Sequence, residues 1–321
     1  MKSDTSRAGE TRPSMPSLGR RERLELFSAR VPWSLKLTAV YFVIGLVLVG
    51  AFLVVDFDVE WMREHAWRII RDGLPLTLVI CVSAIALATI LATLGALARL
   101  SRNPVAYGVA GFYTSFFRGT PLLVQMFLIY FAVAEVGVRL QQGGYGWGKV
   151  LVLGEVQAGV LALGLNYGAY MTEIFRAGIQ SVGHGQGEAA DALGMSYRAK
   201  MRRIVLPQAV RVIIPPTGNE FIAMLKDSAL VYTIGALELF RLADLAGRRD
   251  FRSLEAYLLA AMMYWVLTGI FTVFQARLER RMGRGYVRGG DVRGAPRPPS
   301  AGGQPGIVTP SVAPLAEVDA G

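Results

Sequence analysis

Charged side chains within long apolar segments are the first residues of this sequence that could do chemistry. Lys226 and Asp227 are adjacent between two apolar stretches, and Glu173 and Arg176 lie one helical turn apart at the end of another stretch. A charge inside a lipid bilayer is costly, so such residues usually face a partner or an aqueous cavity. We therefore expect Lys226 and Asp227 to face a partner or an aqueous cavity, with a structural ion pair or an interfacial break in the helix as the alternative.

The residue types that carry most enzyme chemistry are scarce and scattered. The chain has one cysteine, Cys81, inside an apolar run, and two histidines, His65 and His184, which are far apart in the sequence. A disulfide within the chain is impossible, and neither a zinc site nor a histidine-dependent catalytic site is expected. We predict no catalytic residues and no metal site, which makes a membrane enzyme the weakest class of function.

A glycine-rich segment partly matches a nucleotide-binding loop. Gly143 and the pair Gly148-Lys149 have the spacing of the loop whose backbone N–H groups cradle phosphates. The next residue, Val150, lacks the hydroxyl that binds magnesium, and no strand precedes the segment. We interpret the match as coincidental, so this chain is expected to bind no cofactor, and any ATP must be hydrolysed by a separate polypeptide.

The composition indicates that membrane-spanning helices position these residues. Hydrophobic residues make up 53% of the 321 residues, charged residues make up 18%, and the mean hydropathy is +0.39. An uncharged run of about 20 residues is what a helix needs to cross the hydrocarbon layer. We therefore predict an all-α integral membrane protein with six transmembrane helices. The predicted spans are residues 37–55, 73–98, 119–138, 156–172, 212–240 and 258–275.

The distribution of basic residues predicts the orientation of these spans. The N-terminal tail, the second and fourth connections and the C-terminal end are rich in Lys and Arg, whereas the first connection is acidic. The positive-inside rule then places both termini in the cytoplasm. The last outer connection is an exception, because it contains Arg241, Arg248, Arg249 and Arg252. Lipid headgroups account for the net charge of +10, and we expect no nucleic acid partner.

The longest cytoplasmic connection contains signals for two short helices. Residues 185–193 combine good helix formers with small alanines, which allow another surface to approach closely. Gly194 can adopt the left-handed conformation that ends a helix, and Ser196 can cap the next helix. Pro207 disfavours helical geometry at Leu206. We predict a helix, a turn and a second helix that stand off the membrane. The alternative is an ordinary amphipathic loop that packs on its own bundle.

The same connection carries a long motif with fixed spacing. Residues 188–194 are E-A-A-D-A-L-G, and nine residues later residues 204–207 are I-V-L-P. This segment resembles in full the EAA signature of ABC importer permeases. The segments F-R-G-T-P-L-L at 117–123 and K-D-S-A-L at 226–230 resemble the polar amino-acid branch of that family, the histidine-, glutamine-, glutamate- and arginine-type permeases. The resemblance covers residues 70–285 and implies the five-helix core of a type I importer plus one additional N-terminal helix.

The resemblance implies specific roles for residues of this chain. An ATPase subunit would bind the EAA loop through Gly187, Glu188, Ala189, Ala190, Leu193 and Gly194. The substrate path would include Thr120, Lys226, Asp227 and Ser228, although Ala229 replaces a serine that is common in the family. A Lys/Asp pair complements the carboxylate and the ammonium of an amino acid. Glu173 and Arg176 match Glu and Arg of the family and are expected to form a gating or structural ion pair, with a plain surface pair as the alternative.

The resemblance also implies the partners and location of the chain. The expected complex contains a second permease chain, identical or different, and two ABC ATPase subunits, which would bind ATP and magnesium. An extracytoplasmic binding protein would deliver a small amino-acid substrate across the bacterial cytoplasmic (inner) membrane. An importer for another solute, such as an opine or an organic cation, remains the closest alternative. An ion-coupled secondary transporter that uses Lys226 and Asp227 is a further alternative.

The predicted domain organisation follows the apolar segments. Residues 1–34 are expected to be a polar, flexible cytoplasmic tail, and residues 35–56 an additional transmembrane helix. Residues 70–285 form the permease core, with the coupling loop at 182–208. Residues 286–321 are rich in Gly, Pro, Ala and Ser and are expected to be a disordered tail.

Overall fold

The computed structural model describes residues 32–55 and 57–282, and the described residues are helical apart from short connections. The predicted tail 286–321 lies outside the described residues, as does all but the end of the predicted tail 1–34. In chain order the α-helices are α1 (Trp33–Val55), α2 (Val59–Leu100), α3 (Pro104–Gly119), α4 (Leu122–Phe127), α5 (Val133–Gln142), α6 (Glu155–Gln180), α7 (His184–Ala192), α8 (Tyr197–Lys200), α9 (Leu206–Asp227), α10 (Leu239–Arg249) and α11 (Ser253–Met282).

Four short irregular helices connect these elements. Leu128–Ala132 is a π-helical turn that joins α4 to α5, and Met201–Val205 is a π-helical turn that joins α8 to α9. Gly146–Leu151 and Ser228–Ile234 are 3₁₀ helices. The α4–α5 and α8–α9 segments are therefore continuous helical rods with a local widening.

The centre of the core is the contact between α2 and α6. Ala84, Ala88 and Ala92 of α2 are fully buried. On α6, a Cβ added at Gly164 would lie 2.6 Å from a methyl of Leu87. Helices in membranes approach closely through small residues, because apolar lipid gives them little hydrophobic reason to associate. Small side chains thus hold together the two helices that carry much of the candidate site.

Three helices of the described residues are long and apolar enough to cross a membrane, which is fewer than the six predicted. They are α2, the continuous segment Leu122–Gln142 and α11. The helices at the predicted spans 156–172 and 212–240 are not apolar enough to be counted. α6 contains polar and small residues, and α9 contains prolines and charged residues. The helix predicted at 35–56 exists as α1, and almost all of its described residues are exposed.

Two predicted elements differ from the structure. Residues 212–240 do not form one helix, because α9 ends at Asp227, a 3₁₀ helix follows, and Gly235 turns the chain with a φ of 105°. Residues 104–118 were predicted as part of a connection but lie in α3. The Asn103 side chain caps this helix by accepting hydrogen bonds from the backbone N–H groups of Val105 and Ala106 at 2.9 and 3.3 Å.

Candidate coupling and translocation site

The predicted helix, turn and helix of the EAA loop are confirmed, and we call α7, α8 and the turn between them the coupling stub. Gly194 ends α7 in the left-handed conformation, with a φ of 68°. Its N–H donates to the carbonyl of Asp191 at 2.9 Å, and the N–H of Met195 donates to the carbonyl of Ala190 at 3.0 Å. Ser196 accepts a hydrogen bond from the N–H of Ala199 at 3.4 Å and caps α8.

An ion pair that the sequence reading missed fixes the angle between the two helices of the stub. The Nζ of Lys200 in α8 lies 2.7 and 2.8 Å from the two carboxylate oxygens of Asp191 in α7. Asp191 is one of the three variable positions of the motif, so the spacing alone did not single it out. The pair gives the stub a defined shape without help from another chain.

The outer face of the stub is open and partly apolar. Leu193 is 80% exposed and Tyr197 is 73% exposed, and Glu188 is also exposed. A Cβ added at Gly187 would meet no atom within 4 Å. Large apolar side chains that are exposed on a short helical loop are candidates for an interaction surface. Ala190 points the other way and is 1% exposed, so it forms the base of the stub within its own chain.

The prediction for Leu206 was wrong. Leu206 is helical, with φ −61° and ψ −42°, and α9 continues through Pro207. Proline lacks the N–H that would donate to the carbonyl four residues earlier. The helix accommodates the missing hydrogen bond with the π turn Met201–Val205. In this turn the N–H of Leu206 donates to the carbonyl of Met201. The coupling stub is therefore joined to α9 by a continuous helical rod.

Lys226, Asp227 and Ser228 lie where α9 ends, and their side chains separate. Asp227 accepts a hydrogen bond from the hydroxyl of Tyr167 in α6 at 2.8 Å. Lys226 is exposed and makes no ion pair with any described residue. Ser228 is buried and donates to the carbonyl of Leu225 at 2.8 Å. Neither Lys226 nor Asp227 makes an ion pair with any described residue, so the alternative of a structural ion pair is wrong, whereas the alternative of a break in the helix does occur here.

Thr120 lies at the break between α3 and α4, where it contacts one of a pair of buried side-chain amides. The Nε2 of Gln125 lies 2.7 Å from the Thr120 hydroxyl oxygen and 2.8 Å from the Phe117 carbonyl oxygen. Asn166 of α6 donates to the Oε1 of Gln125 at 3.0 Å. Gln125 and Asn166 are 2% and 6% exposed. The sequence reading missed both, although an amide within an apolar run is itself a signal.

Glu173 and Arg176 form the predicted ion pair, with 2.7 Å between the guanidinium and the carboxylate. Glu173 also lies 3.7 Å from the Nε of Arg99 at the end of α2, which the sequence reading did not identify as a partner. The carboxylate thus bridges α2 and α6. A cleft of about 570 Å³ opens beside this pair. Its lining includes Arg99, Thr114, Ser115, Arg118, Tyr170 and Glu173.

Residues 91–284 match the model of a protein family described as "Binding-protein-dependent transport system inner membrane component". The chain belongs to this family. It is 37% identical over 229 residues to the probable amino-acid permease protein YxeN of Bacillus subtilis, covering 71% of this chain and 97% of the relative. It is 43% identical over 219 residues to the arginine transport system permease protein ArgU of Corynebacterium glutamicum, covering 66% of each.

Solved structures agree with this assignment. A crystal structure of an amino acid ABC transporter with histidines matches the permease with a TM-score of 0.60 and 38% identity, covering 68% of this chain and 96% of that chain. An inward-facing MetNI methionine ABC transporter shares the fold, with a TM-score of 0.55 at 16% identity, covering 68% and 98%. The predicted family and all-α membrane fold are confirmed. The permease is a multi-pass inner-membrane component of an ABC importer that works with ATPase and permease subunits, and it is not an enzyme.

Three of the four arginines that did not fit the positive-inside rule are paired with acids in the permease. Arg241 and Arg248 lie 3.4 and 2.8 Å from the carboxylate of Asp244. Arg252 lies 3.1 Å from Asp58 and is also paired with Glu255. This end of the molecule therefore carries less net positive charge than its arginine content suggests.

Asp244 shows how strongly this environment favours the charged carboxylate. Burial alone would raise its pKa. Hydrogen bonds from Arg248 and Tyr257, together with the neighbouring guanidinium charges, outweigh the burial and hold the pKa below its usual range. Within the described residues, no group of three or more His, Cys, Asp or Glu side chains could hold a metal ion.

Proposed function

We propose that this permease moves polar amino acids into the cell and that the coupling stub transmits the movement of a separate ATPase. The observation that carries the proposal is the exposed surface around Leu193 and Tyr197, on two helices fixed by the Asp191–Lys200 pair. The named relatives are a probable amino-acid permease and an arginine transport system permease, which support an amino-acid substrate. Gly187, Glu188 and Ala189 would contribute to the same contact.

The substrate path lies at the end of α9 in this proposal. An amino acid has one carboxylate and one ammonium group. The free ammonium of Lys226 suits the former, and the carboxylate of Asp227 suits the latter. Tyr167 holds Asp227 in place through its hydroxyl. Ser228 and Thr120 make hydrogen bonds to nearby backbone carbonyls, so we assign them to the walls of the path.

The rest of the proposed complex follows from the way such a permease must work. A second permease chain encloses the path, two ATPases bind ATP and magnesium, and an extracytoplasmic binding protein delivers the substrate. Both termini and the coupling stub face the cytoplasm, where the nucleotide is. Glu173 acts as a gate or brace, because its contact with Arg99 would have to change if α2 and α6 move apart, whereas Arg176 pairs with it within α6.

Two variants of the coupling stub test this proposal. Glu188→Lys and Leu193→Asp should each reduce both copurification of the ATPase and amino-acid uptake by at least about tenfold. Each substitution replaces a side chain at the centre of the proposed contact with the ATPase. Phe251→Asp is the matched control, since Phe251 is also a fully exposed apolar residue but lies between α10 and α11. It should leave ATPase copurification unchanged.

Three results would count against the proposal. Normal copurification and uptake in both stub variants would show that the stub has no coupling role. Uptake that persists without any ATPase would favour an ion-coupled secondary transporter. Uptake of an opine or an organic cation that polar amino acids fail to compete with would leave the importer class in place but change the substrate.

A further inference from the structure

A groove of about 540 Å³ lies between α9 and α11, near the end of α11 where its charged residues begin. Its walls are mostly apolar and aromatic. They include Phe221 and Ile222 from α9 and Phe271, Phe274 and Leu278 from α11. Phe274 and Leu278 are exposed within the permease. The groove therefore offers an open apolar surface beside α11, a helix that is long and apolar enough to cross the membrane.

Two cationic side chains line the same groove. Arg277 and Arg281 are four residues apart on α11, so they lie on the same side of the helix one turn from each other. Both are exposed, and neither makes an ion pair or a hydrogen bond with any residue that the structure describes. The arginines near the opposite end of α11 differ, since Arg252 is paired with both Asp58 and Glu255.

Hydrogen bonds between α9 and α11 fix the shape of the groove. The Nε2 of Gln275 donates to the carbonyl of Pro215 at 2.6 Å and lies 3.1 Å from the carboxylate of Glu279. Gly218 faces the same amide, and a side chain at this position would collide with it. The groove is therefore held by a specific contact between the two helices and does not depend on loose side chains.

We propose that this groove binds one anionic phospholipid of the membrane. The phosphate lies between the guanidinium groups of Arg277 and Arg281, and an acyl chain lies along Phe221, Phe271 and Phe274. Guanidinium groups bind phosphate oxygens through paired hydrogen bonds, and arginines at the membrane surface attract anionic headgroups. The apolar walls favour a lipid over free phosphate, because free phosphate would leave them unused.

The proposed lipid would act on the helix that carries both the coupling contact and the substrate path. It would lie against α9 between the coupling stub at one end and Lys226 and Asp227 at the other. This role goes beyond the transport function, because the permease could import amino acids with or without a bound lipid. The anionic lipid content of the membrane would then influence the stability of the complex.

Native mass spectrometry of the full complex tests the proposal. The complex in detergent is titrated with phosphatidylglycerol, phosphatidylcholine or inorganic phosphate, and bound lipid is counted. The wild type should retain phosphatidylglycerol, and Arg277→Gln/Arg281→Gln should bind it roughly 30-fold more weakly, since each arginine contributes about fivefold. The double lysine variant should recover most of the binding. Arg280→Gln is the matched control, because Arg280 is an exposed neighbour that does not line the groove.

Three outcomes would overturn the lipid assignment. The first is equal retention of phosphatidylglycerol by the wild type and the double glutamine variant. The second is displacement of the lipid by inorganic phosphate at equal concentration, which would indicate a free-anion site. The third is loss of the ATPase from the double glutamine variant with no change in lipid binding, which would assign the arginines to a protein contact. None of these outcomes changes the expected effect of the coupling-stub variants.

Discussion

Single carboxylates in this permease hold separate helices together. Glu173 accepts from Arg176 within α6 and approaches Arg99 of α2, and it is only partly exposed. Its contribution should exceed that of an exposed pair such as Glu135–Arg139, which joins residues of one helix. The comparison follows from desolvation, because removing one partner of a covered pair leaves uncompensated charge, whereas water screens an exposed pair.

Glu173→Gln should therefore lower the thermal unfolding midpoint of the purified permease. We expect a loss of about 1–2 kcal/mol, discounted for the partial exposure of the carboxylate. Glu135→Gln is the control and should cost about 0.5 kcal/mol or less. Equal midpoints for the two variants would show that the bridge to Arg99 contributes nothing.

Asp244 predicts a pH dependence at the residue scale. Its pKa is lowered in the folded protein, so its stabilisation is fully present above the usual aspartate pKa and is lost as the pH falls through the lowered folded value. Asp244→Asn should destabilise the permease at neutral pH, and the difference from the wild type should shrink as the medium is acidified. Thermal unfolding measured across the acid range checks this. Asp72→Asn, in an exposed carboxylate that pairs with Arg71, is the control and should show a smaller difference at neutral pH.

At the scale of elements, the coupling stub and the substrate path belong to one helical rod. α8, the π turn and α9 run without interruption from Tyr197 to Asp227, a distance of roughly 45 Å at 1.5 Å per residue. A tilt imposed on the stub would therefore reach Asp227 at the far end. The π turn and the prolines of α9 are the points at which the rod could bend.

The turn at Gly194 tests the importance of the geometry of the stub. Gly194→Ala forces a Cβ onto a residue with a φ of 68° and should cost about 1 kcal/mol of local stability. Limited proteolysis at the stub should become faster in this variant, with reduced recovery of the ATPase. Gly185→Ala is the matched control, because Gly185 lies in α7 with open space around it and should tolerate the methyl group. Equal proteolysis of the two variants would contradict the strain argument.

The sequence predicted the elements whose signals are local. The caps at Gly194 and Ser196 and the pair Glu173–Arg176 could be read from spacing, because each involves residues within one turn or one loop. Arg99 and Tyr167 could not, because their partners lie far along the chain and depend on how α2, α6 and α9 pack. The predicted span 212–240 continued past the end of α9 at Asp227, and a break there was predicted only as an alternative. An apolar run of residues does not reveal where a helix changes to a 3₁₀ turn.

For the protein as a whole, coupling to an ATPase requires the coupling stub to face the cytoplasm. The charge pattern favours the cytoplasm, and three of the four arginines that are exceptions to it are paired with acids. The only native cysteine, Cys81, is fully buried. A single introduced cysteine can therefore report its own location.

The most direct measurement is labelling of Leu193→Cys with a membrane-impermeant maleimide in inside-out and right-side-out vesicles. We expect labelling in inside-out vesicles only, with protection when the ATPase is bound. Phe251→Cys is the control, because it is predicted to face the opposite side and should be labelled in right-side-out vesicles only. Labelling of Leu193→Cys from the outside, or no protection by the ATPase, would contradict the central claim.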